Sequence, residues 1–323
     1  MKILVTGAAG FIGSNLCGYL LRKGHTVVGV DDFNDFYSPK IKHFNISEYE
    51  KDPKFKMCPI DIRDRVKVED VFKNENIEGL VHLAAWAGVT YSVEHPDVYI
   101  SSNVDGTNNL AEFSAKYNIK SFVFASTSSV YGDSEDVPFV ETMNTDKPLS
   151  PYPASKKAGE VLLYSYSHNF DLNVTIFRFF NPLGIKIRPD MALPKLIRAA
   201  EYGNEFPLYQ NPESSARDYT YIDHMLEAIE YVLNKPLKYE IMNLGNSNPV
   251  SLIDMKKSVE KITSKIIKTV EKPLPGQMKI TYANIDKARS IVQYNPATSL
   301  DVMISKYYEW FLKQPDWYKK GDF

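Results

Sequence analysis

The sequence predicts an α/β protein with a doubly wound parallel sheet and a smaller C-terminal domain. Two observations point to this fold class. In the first half of the chain, short β-branched or apolar runs such as KILVT and TVVGVD alternate with amphipathic helical patterns such as FIGSNLCGYLLRKG. Strands that alternate with helices favour a parallel sheet covered by helices on both faces. After about residue 181, prolines cluster and the helices are separated by loops, which indicates a change of architecture.

The predicted elements of the first half follow one another closely. The strand KILVTG leads into the helix FIGSNLCGYLLRKG, and TVVGVD follows as the second strand. Further strands are predicted at GLVHLAA, SFVFAST and NVTIFRFFN, with helices at NLAEFSAKYN and KKAGEVLLYSYSHNF between them. Each helix is expected to carry the chain back to the start of the next parallel strand.

The second half contains one more strand pattern, YEIMNLGN, after the helical pattern YTYIDHMLEAIEYVLNK. We therefore predict a first domain over residues 1–180 and a second domain over residues 181–323. A segment near residues 220–246 is expected to return to the main sheet.

Composition argues against several kinds of partner. The chain has 323 residues, 44% hydrophobic and 24% charged, and a net charge of -2, which gives no reason to expect nucleic acid or an anionic membrane as a partner. No apolar run reaches the roughly 18 residues that a transmembrane helix needs.

Cys17 and Cys58 are too few for a disulfide scaffold and lack metal-ligand spacing, so we expect free thiols and no bound metal. A strand pattern begins at once, without room for a signal peptide, and we expect a cytoplasmic protein.

A glycine-rich turn follows the first strand. The stretch LVTGAAGFIGSNL places Gly7, Gly10 and Gly13 between the first strand and the first helix. Small residues at such a turn allow a diphosphate to approach the backbone and the positive end of the helix. The spacing is G-x-x-G-x-x-G, and its position between a strand and a helix supports a dinucleotide site.

Two carboxylates follow at the ends of later strands. Asp31 ends the second strand, 18 residues after Gly13, where it can accept both ribose hydroxyls and would repel a 2′-phosphate. This position favours NAD over NADP. Asp61, after the third strand, is placed either to reach the adenine or to cap a helix.

Tyr152 and Lys156 lie four residues apart at the start of a predicted helix. Residues at this spacing share one helix face. The pair is either a solvated surface pair or a phenol prepared for proton transfer, and the spacing alone leaves both interpretations open.

Several further motifs appear along the chain, in the order TGAAGFIGSNL, HLAA, SNVDGT, FASTSSVYG, PYPASK, RFFNPLG, RPDMA and ARDYTYID. With this set, the sequence resembles the extended short-chain dehydrogenase/reductase family, and within it the nucleotide-sugar 4-epimerases. The resemblance covers nearly the whole chain. It implies a Rossmann sheet, a tightly held NAD, a UDP-sugar substrate, and a homodimer formed through the helices near 104–117 and 153–169.

The resemblance implies a catalytic set of Thr127, Tyr152 and Lys156. Tyr152 would exchange a proton with a sugar hydroxyl, Lys156 would lower the pKa of that tyrosine and hold the nicotinamide ribose, and Thr127 would orient the reacting oxygen. The implied NAD-lining residues, besides Tyr152 and Lys156, are Gly7, Gly10, Phe11, Ile12, Gly13, Asp31, Asn34, Asp61, Ile62, Leu83, Ala84 and Asn103. The implied substrate-binding residues are Thr127, Ser128, Asn181, Ala192, Leu193, Tyr209, Arg217 and Thr281.

The residues after Thr127 bear on the reaction. Related dehydratases usually carry an acidic pair there, and related decarboxylases carry a glutamate, whereas this chain has Ser128 and Ser129. Neither serine can abstract a C5 proton, so the resemblance favours 4-epimerisation. A nucleotide-sugar dehydratase or reductase and a non-catalytic NAD-binding regulator are the alternatives.

The motifs disagree about the sugar. DDFNDFYSP, AGVTYS and RPDMA resemble UDP-glucuronate 4-epimerases, but Asn181 in FFNPLG stands where those enzymes usually have threonine. Thr281 leaves room for a 2-acetamido group or a rotated carboxylate. We favour UDP-N-acetylglucosamine and UDP-N-acetylgalactosamine, with UDP-glucuronate or UDP-glucose as alternatives. Two departures stand out, namely Thr90, where uronate epimerases commonly have arginine, and LPGQ at 274–277, where the family has R-x-G-D.

Overall fold

The structure, a computed structural model, describes residues 1–209, 215–272 and 280–323. Its strands in chain order are β1 (Lys2–Thr6), β2 (Thr26–Asp31), β3 (Phe55–Pro59), β4 (Gly79–His82), β5 (Ser121–Thr127), β6 (Val174–Phe179), β7 (Pro182–Leu183), β8 (Phe206–Tyr209), β9 (Ala216–Asp218), β10 (Thr220–Tyr221), β11 (Tyr239–Leu244), β12 (Pro249–Ser251), β13 (Thr269–Lys272) and β14 (Ile280–Thr281). Its α-helices are α1 (Phe11–Arg22), α2 (Pro39–Ile46), α3 (Arg65–Glu75), α4 (Val89–Glu94), α5 (Pro96–Ile100), α6 (Gly106–Lys116), α7 (Pro151–Phe170), α8 (Ala192–Tyr202), α9 (Ile222–Asn234), α10 (Leu252–Thr263), α11 (Asp286–Val292), α12 (Leu300–Leu312) and α13 (Asp316–Lys320).

The main sheet is parallel, and its strand order in the described residues is β3–β2–β1–β4–β5–β6–β11. From β1 the chain adds strands outwards on one side, and from β4 it adds them on the other side. This reversal leaves a crevice at the carboxyl ends of β1 and β4, where ligands bind in such sheets. The doubly wound fold class predicted from the sequence is confirmed.

Both faces of the main sheet are buried. Side chains alternate between the two faces of a strand, so Ile3 and Val5 of β1 enter one hydrophobic cluster and Leu4 enters the other. The helices that cover the two faces explain why the strand sequences are almost continuously apolar.

Helix α7 places its first turn beside the end of β5. Its N-cap is Ser150, and a proline occupies the beginning of the helix, where the missing N–H costs nothing. Further along the helix, Val161 is 58% exposed and Tyr164 is 55% exposed. The homodimer expected through this helix stays a prediction.

The second half of the chain forms small sheets beside the main one. Strand β9 pairs with β12 and β14, β8 pairs with β13, and β10 pairs with β7. Strand β11 pairs with β6 of the main sheet, from Tyr239 opposite Val174 to Leu244 opposite Phe179. Within the described ranges, no helix has the length and apolar character needed to cross a membrane.

The last helix, α13, connects the segments on the two sides of the crevice. The Arg198 guanidinium, on α8, donates to the carbonyl oxygens of Tyr318 at 3.1 Å, Lys319 at 3.2 Å and Pro189 at 3.3 Å. The ring of Trp317 packs edge-on against Phe44 of α2, with centroids 5.4 Å apart. These contacts fix α2 and the segment before α8 relative to each other.

Candidate active site

A cavity of about 490 Å³ opens at the carboxyl ends of the main sheet, where the strand order reverses. On one side, its wall is formed by the glycine turn after β1 and by the segments after β2 and β3. On the other side, the wall is formed by the ends of β5 and β6, the start of α7 and the segment before α8.

The glycine turn forms a tight backbone cradle at the N-terminus of α1. Gly7 has a φ of +69°, in the left-handed region that favours glycine. A Cβ added to Gly13 would overlap the carbonyl oxygen of Gly7, so no side chain fits there. Gly7, Gly10, Gly13 and the intervening Phe11 and Ile12 all line the cavity. The N-terminus of a 12-residue helix is thus open to the cavity, an arrangement that fits a diphosphate.

Asp31 lies where a dinucleotide ribose is expected. Its carboxylate accepts hydrogen bonds from the backbone N–H groups of Ala9 at 3.1 Å and Phe33 at 2.9 Å, which fixes its orientation. Burial raises the pKa of Asp31, and the Lys42 ammonium 3.9 Å away opposes that shift. Each carboxylate oxygen accepts one of these hydrogen bonds, which leaves acceptor capacity for ribose hydroxyls. These residues fit the dinucleotide that the glycine turn predicts.

Other predicted cofactor residues line the same wall, namely Asn34, Asp61, Ile62, Leu83 and Ala84. Asn103 is placed differently. It is buried, and its amide donates to the Trp86 carbonyl oxygen at 3.0 Å and to the Ser155 hydroxyl at 2.9 Å and accepts from the Trp86 N–H. Asn103 therefore holds the segment after β4, rather than lining the cavity itself.

Thr127, Tyr152 and Lys156 all line the cavity. Burial raises the pKa of Tyr152, and the hydrogen bond with Thr127 and the charge of Arg188 oppose that rise. The Lys156 ammonium is 4.1 Å from the centroid of the Phe124 ring. Arg188 is thus a cation that opposes the rise in the pKa of Tyr152, in addition to Lys156, to which the sequence analysis assigned this effect.

Arg188 was not among the residues predicted for the site, although it begins the RPDMA motif. Its guanidinium lines the cavity, stacks over Phe36 at 4.9 Å from the ring centroid, and pairs with Asp190 at 2.6 Å. The neighbouring Lys186 ammonium donates to the Asn45 carbonyl oxygen at 2.7 Å, which fastens this segment to α2. Arg188 and Tyr152 thus line the same cavity, and the charge of the guanidinium opposes the rise in the pKa of Tyr152.

Lys156 makes stability depend on pH. In the folded protein, burial lowers the pKa of its ammonium to about 7, with the Glu160 charge opposing, whereas the unfolded chain keeps the ordinary value of 10.5. Between these values the unfolded state binds one more proton, so stability rises with pH, by at most about 1.4 kcal/mol per pH unit. We expect the free energy of unfolding of the wild type, relative to Lys156→Met, to increase between about pH 7 and about pH 10. Urea unfolding of both proteins across this range measures it, and a constant difference would contradict it.

The predicted substrate residues separate into two groups. Ser128 and Asn181 line the cavity, and the amide of Asn181 donates to the Asp218 carbonyl oxygen at 3.4 Å. Arg217 and Thr281 lie outside this wall, opposite each other on the neighbouring strands β9 and β14.

At the start of α8, Met191 lines the cavity, and the two residues predicted there are placed elsewhere. Leu193 is fully buried in the hydrophobic core, and Ala192 packs against that core. The side chain of Tyr209 and the atypical residues Leu274 to Gln277 lie outside the described residues.

His82 is buried between two threonines, 2.8 Å from Thr6 Oγ1 and 2.9 Å from Thr107 Oγ1. Burial lowers its pKa well below the ordinary value, so a neutral imidazole joins β1, β4 and α6. In the part of the chain that the structure describes, no group of three or more His, Cys, Asp or Glu side chains is arranged to hold a metal.

Comparison with known proteins agrees with this geometry. The model of the NAD dependent epimerase/dehydratase family matches residues 3–245. The chain is 37% identical to Protein CapI of Staphylococcus aureus, covering 99% of this chain and 100% of that protein. It is also 37% identical to the UDP-glucuronate 4-epimerase of Thermodesulfobacterium geofontis, covering 95% of each. The crystal structure of UDP-glucuronic acid 4-epimerase from Bacillus cereus with UDP-glucuronic acid and NAD superposes with a TM-score of 0.87 at 34% identity, covering 96% of this chain and 98% of that one. This chain belongs to the NAD dependent epimerase/dehydratase family.

Proposed function

We propose that this protein catalyses the NAD-dependent 4-epimerisation of a UDP-sugar. The substrate that we propose is UDP-glucuronate. The observation that carries the choice of sugar is Arg188, which lines the same cavity as Thr127 and Tyr152. Arg188 Nε and Nη2 donate to Asp190 at 2.9 Å and 2.6 Å, so a substrate carboxylate would bind the other edge of the guanidinium, formed by the remaining Nη1 and Nη2 donors, through charge-assisted hydrogen bonds. Relatives whose names specify UDP-glucuronate support the same choice.

The proposed chemistry assigns one task to each side chain. Thr127 lines the cavity with Tyr152 and orients the C4 hydroxyl of the sugar, and Tyr152, as the phenolate, accepts the proton from that hydroxyl. Bound NAD supplies the reversible hydride acceptor that oxidation at C4 requires. The 4-keto sugar then turns in the cavity, and Tyr152 returns the proton to the oxygen as the opposite face is reduced.

The cavity wall supports epimerisation over elimination of water. Abstraction of a C5 proton needs a base beside the sugar. The residues after Thr127 that line the cavity are the neutral Ser128 and Ser129. Among the described lining residues, the carboxylates are those of Asp31, Asp32 and Asp61, which lie at or just after the ends of β2 and β3 on the other side of the crevice.

A second candidate sugar is UDP-N-acetylglucosamine, which the sequence analysis preferred. Asn181 favours it, because an amide in the cavity wall can donate to and accept from an acetamido group. The names of the compared relatives do not add support for this sugar.

Substrate conversion tests the proposal. Purified protein is incubated without added NADH with UDP-glucuronate, UDP-N-acetylglucosamine or UDP-glucose, and the products are resolved by the NMR signals of their anomeric protons. We expect UDP-glucuronate to be converted fastest to its galacto epimer. Faster conversion of UDP-N-acetylglucosamine would select the second candidate, and a keto-sugar product would overturn epimerisation.

Arg188→Met tests the carboxylate contact. We expect the ratio of kcat/KM for UDP-glucuronate to kcat/KM for UDP-glucose to fall at least about tenfold, since a hydrogen bond to a charged group contributes about 1.5–3 kcal/mol. Using the ratio removes the effect of Arg188 on the pKa of Tyr152, which both substrates share. Arg63→Met is the matched control, because Arg63 pairs with Asp61 on the cofactor side of the crevice. An unchanged ratio in Arg188→Met would contradict the assignment.

A further inference from the structure

The hydroxyl of Tyr37 is a buried polar group that the proposed mechanism does not use. Tyr37 lies in the segment between β2 and α2 and lines the cavity. Its hydroxyl oxygen is shielded from solvent and has no hydrogen-bond partner among the described residues. Burying an unpaired hydroxyl costs free energy, and most buried hydroxyls in native proteins have a partner. A partner that binds in the cavity would account for its position.

The surroundings of this hydroxyl indicate what that partner is. A Cβ built on Gly10 would lie 3.8 Å from the Tyr37 oxygen, so the hydroxyl faces the glycine turn at the start of α1. The Lys42 ammonium is 5.2 Å from the centroid of the Tyr37 ring, and the charges of Asp31, Arg188 and Asp190 also act on the phenol. Burial raises the pKa of Tyr37, so the hydroxyl keeps its proton and acts as a donor at neutral pH. The Lys42 ammonium, 3.9 Å from Asp31, offsets the charge of that carboxylate, and a protonated donor that faces the open N-terminus of α1 suits an anion.

We propose that the Tyr37 hydroxyl donates a hydrogen bond to a phosphate of the bound dinucleotide. Two diphosphates enter this site, one in NAD and one in the UDP-sugar. Proximity to Gly10 favours the dinucleotide, because the cradle formed by Gly7, Gly10 and Gly13 lies at the N-terminus of α1. Arg217, the residue predicted to bind the UDP-sugar diphosphate, lies on β9, outside this wall.

Tyr37→Phe tests the proposal, because the substitution removes the hydroxyl and keeps the ring. We expect the Kd of the full-length protein for NAD, measured by isothermal titration, to rise about tenfold, as expected for losing a hydrogen bond to a charged group. The Kd for UDP should stay unchanged. The melting temperature without added NAD should stay the same or rise, because an unpaired buried hydroxyl is gone, while the increase produced by saturating NAD should become smaller.

Tyr49→Phe is the matched control. The Tyr49 hydroxyl is also buried beside α1, but it donates to the Ser14 carbonyl oxygen at 2.9 Å and does not line the cavity. Its removal should lower the melting temperature and leave the Kd for NAD unchanged.

Three outcomes for Tyr37→Phe would overturn the proposal. An unchanged Kd for NAD in a folded variant would show that the Tyr37 hydroxyl makes no hydrogen bond to NAD. A weaker affinity for UDP alone would assign the hydroxyl to the substrate diphosphate instead. If the melting temperature fell by the same amount with and without NAD, the hydroxyl would stabilise the fold rather than bind NAD.

Discussion

Tyr152→Phe is expected to lower kcat for the epimerisation by about 10²- to 10⁴-fold, the range typical of a lost general acid–base. The phenylalanine ring keeps the edge-on contact with Tyr99, whose centroid is 6.1 Å from that of Tyr152. Only the hydroxyl that exchanges the proton is removed. NAD content should therefore stay at the wild-type level while turnover is lost. Anomeric proton NMR gives the rate, and the absorbance of the released nucleotide gives the cofactor content.

Tyr166→Phe provides a control on the same helix. The Tyr166 hydroxyl donates to Asn108 Oδ1 at 2.9 Å, and Tyr166 does not line the cavity. Its kcat should match the wild type. A loss of less than about tenfold in Tyr152→Phe would assign proton transfer to another group.

The parts of the site that sequence analysis located are those set by local spacing. The glycine turn needs only three glycines between a strand and a helix, since the clash of a Cβ on Gly13 with Gly7 arises within seven residues. Tyr152 and Lys156 share a helix face because they are four residues apart. The geometry of such a motif depends on residues that are near one another in the sequence. The parallel sheet then brings the motifs together, because the carboxyl ends of its strands lie at one edge.

The parts that sequence analysis missed depend on contacts between distant segments. Arg188 reaches the cavity because Lys186 is fastened to Asn45, 141 residues away in sequence. Lys42 reaches Asp31 because α2 turns back towards the end of β2. At the start of α8, Met191 faces the cavity, whereas Leu193, two residues further along the chain, lies in the hydrophobic core. No local pattern in the sequence contains these contacts.

A buried ion pair holds the strand that carries Thr127 against α7. Arg178 of β6 donates to both carboxylate oxygens of Glu160, at 2.9 Å and 2.8 Å, and both side chains are almost fully buried. The Ser126 hydroxyl donates to the same carboxylate at 2.6 Å. This bond joins the end of strand β5 to α7 at a position one helical turn beyond Lys156. The guanidinium also donates to the Tyr131 hydroxyl oxygen at 3.1 Å and to the Glu141 carbonyl oxygen at 3.4 Å. The position of the catalytic threonine relative to Tyr152 therefore depends on this pair.

Arg178→Met is expected to lower the free energy of unfolding by about 3–5 kcal/mol, because the buried Glu160 carboxylate loses both charge-assisted hydrogen bonds from the guanidinium and keeps the partly exposed Lys157 ammonium, 3.7 Å away, as an ion-pair partner. This is a large share of the roughly 5–15 kcal/mol that stabilises a typical domain. The double variant Glu160→Met/Arg178→Met should recover part of the loss, since it removes the buried carboxylate as well as the guanidinium. Urea unfolding of the wild type and of the three variants formed by the two substitutions measures both effects. Lys261→Met is the control, because its ion pair with Asp301 is exposed and its loss should leave the unfolding midpoint unchanged. Equal stability of the single and double variants would show that the lost packing of Arg178, rather than the carboxylate left without those hydrogen bonds, destabilises the protein.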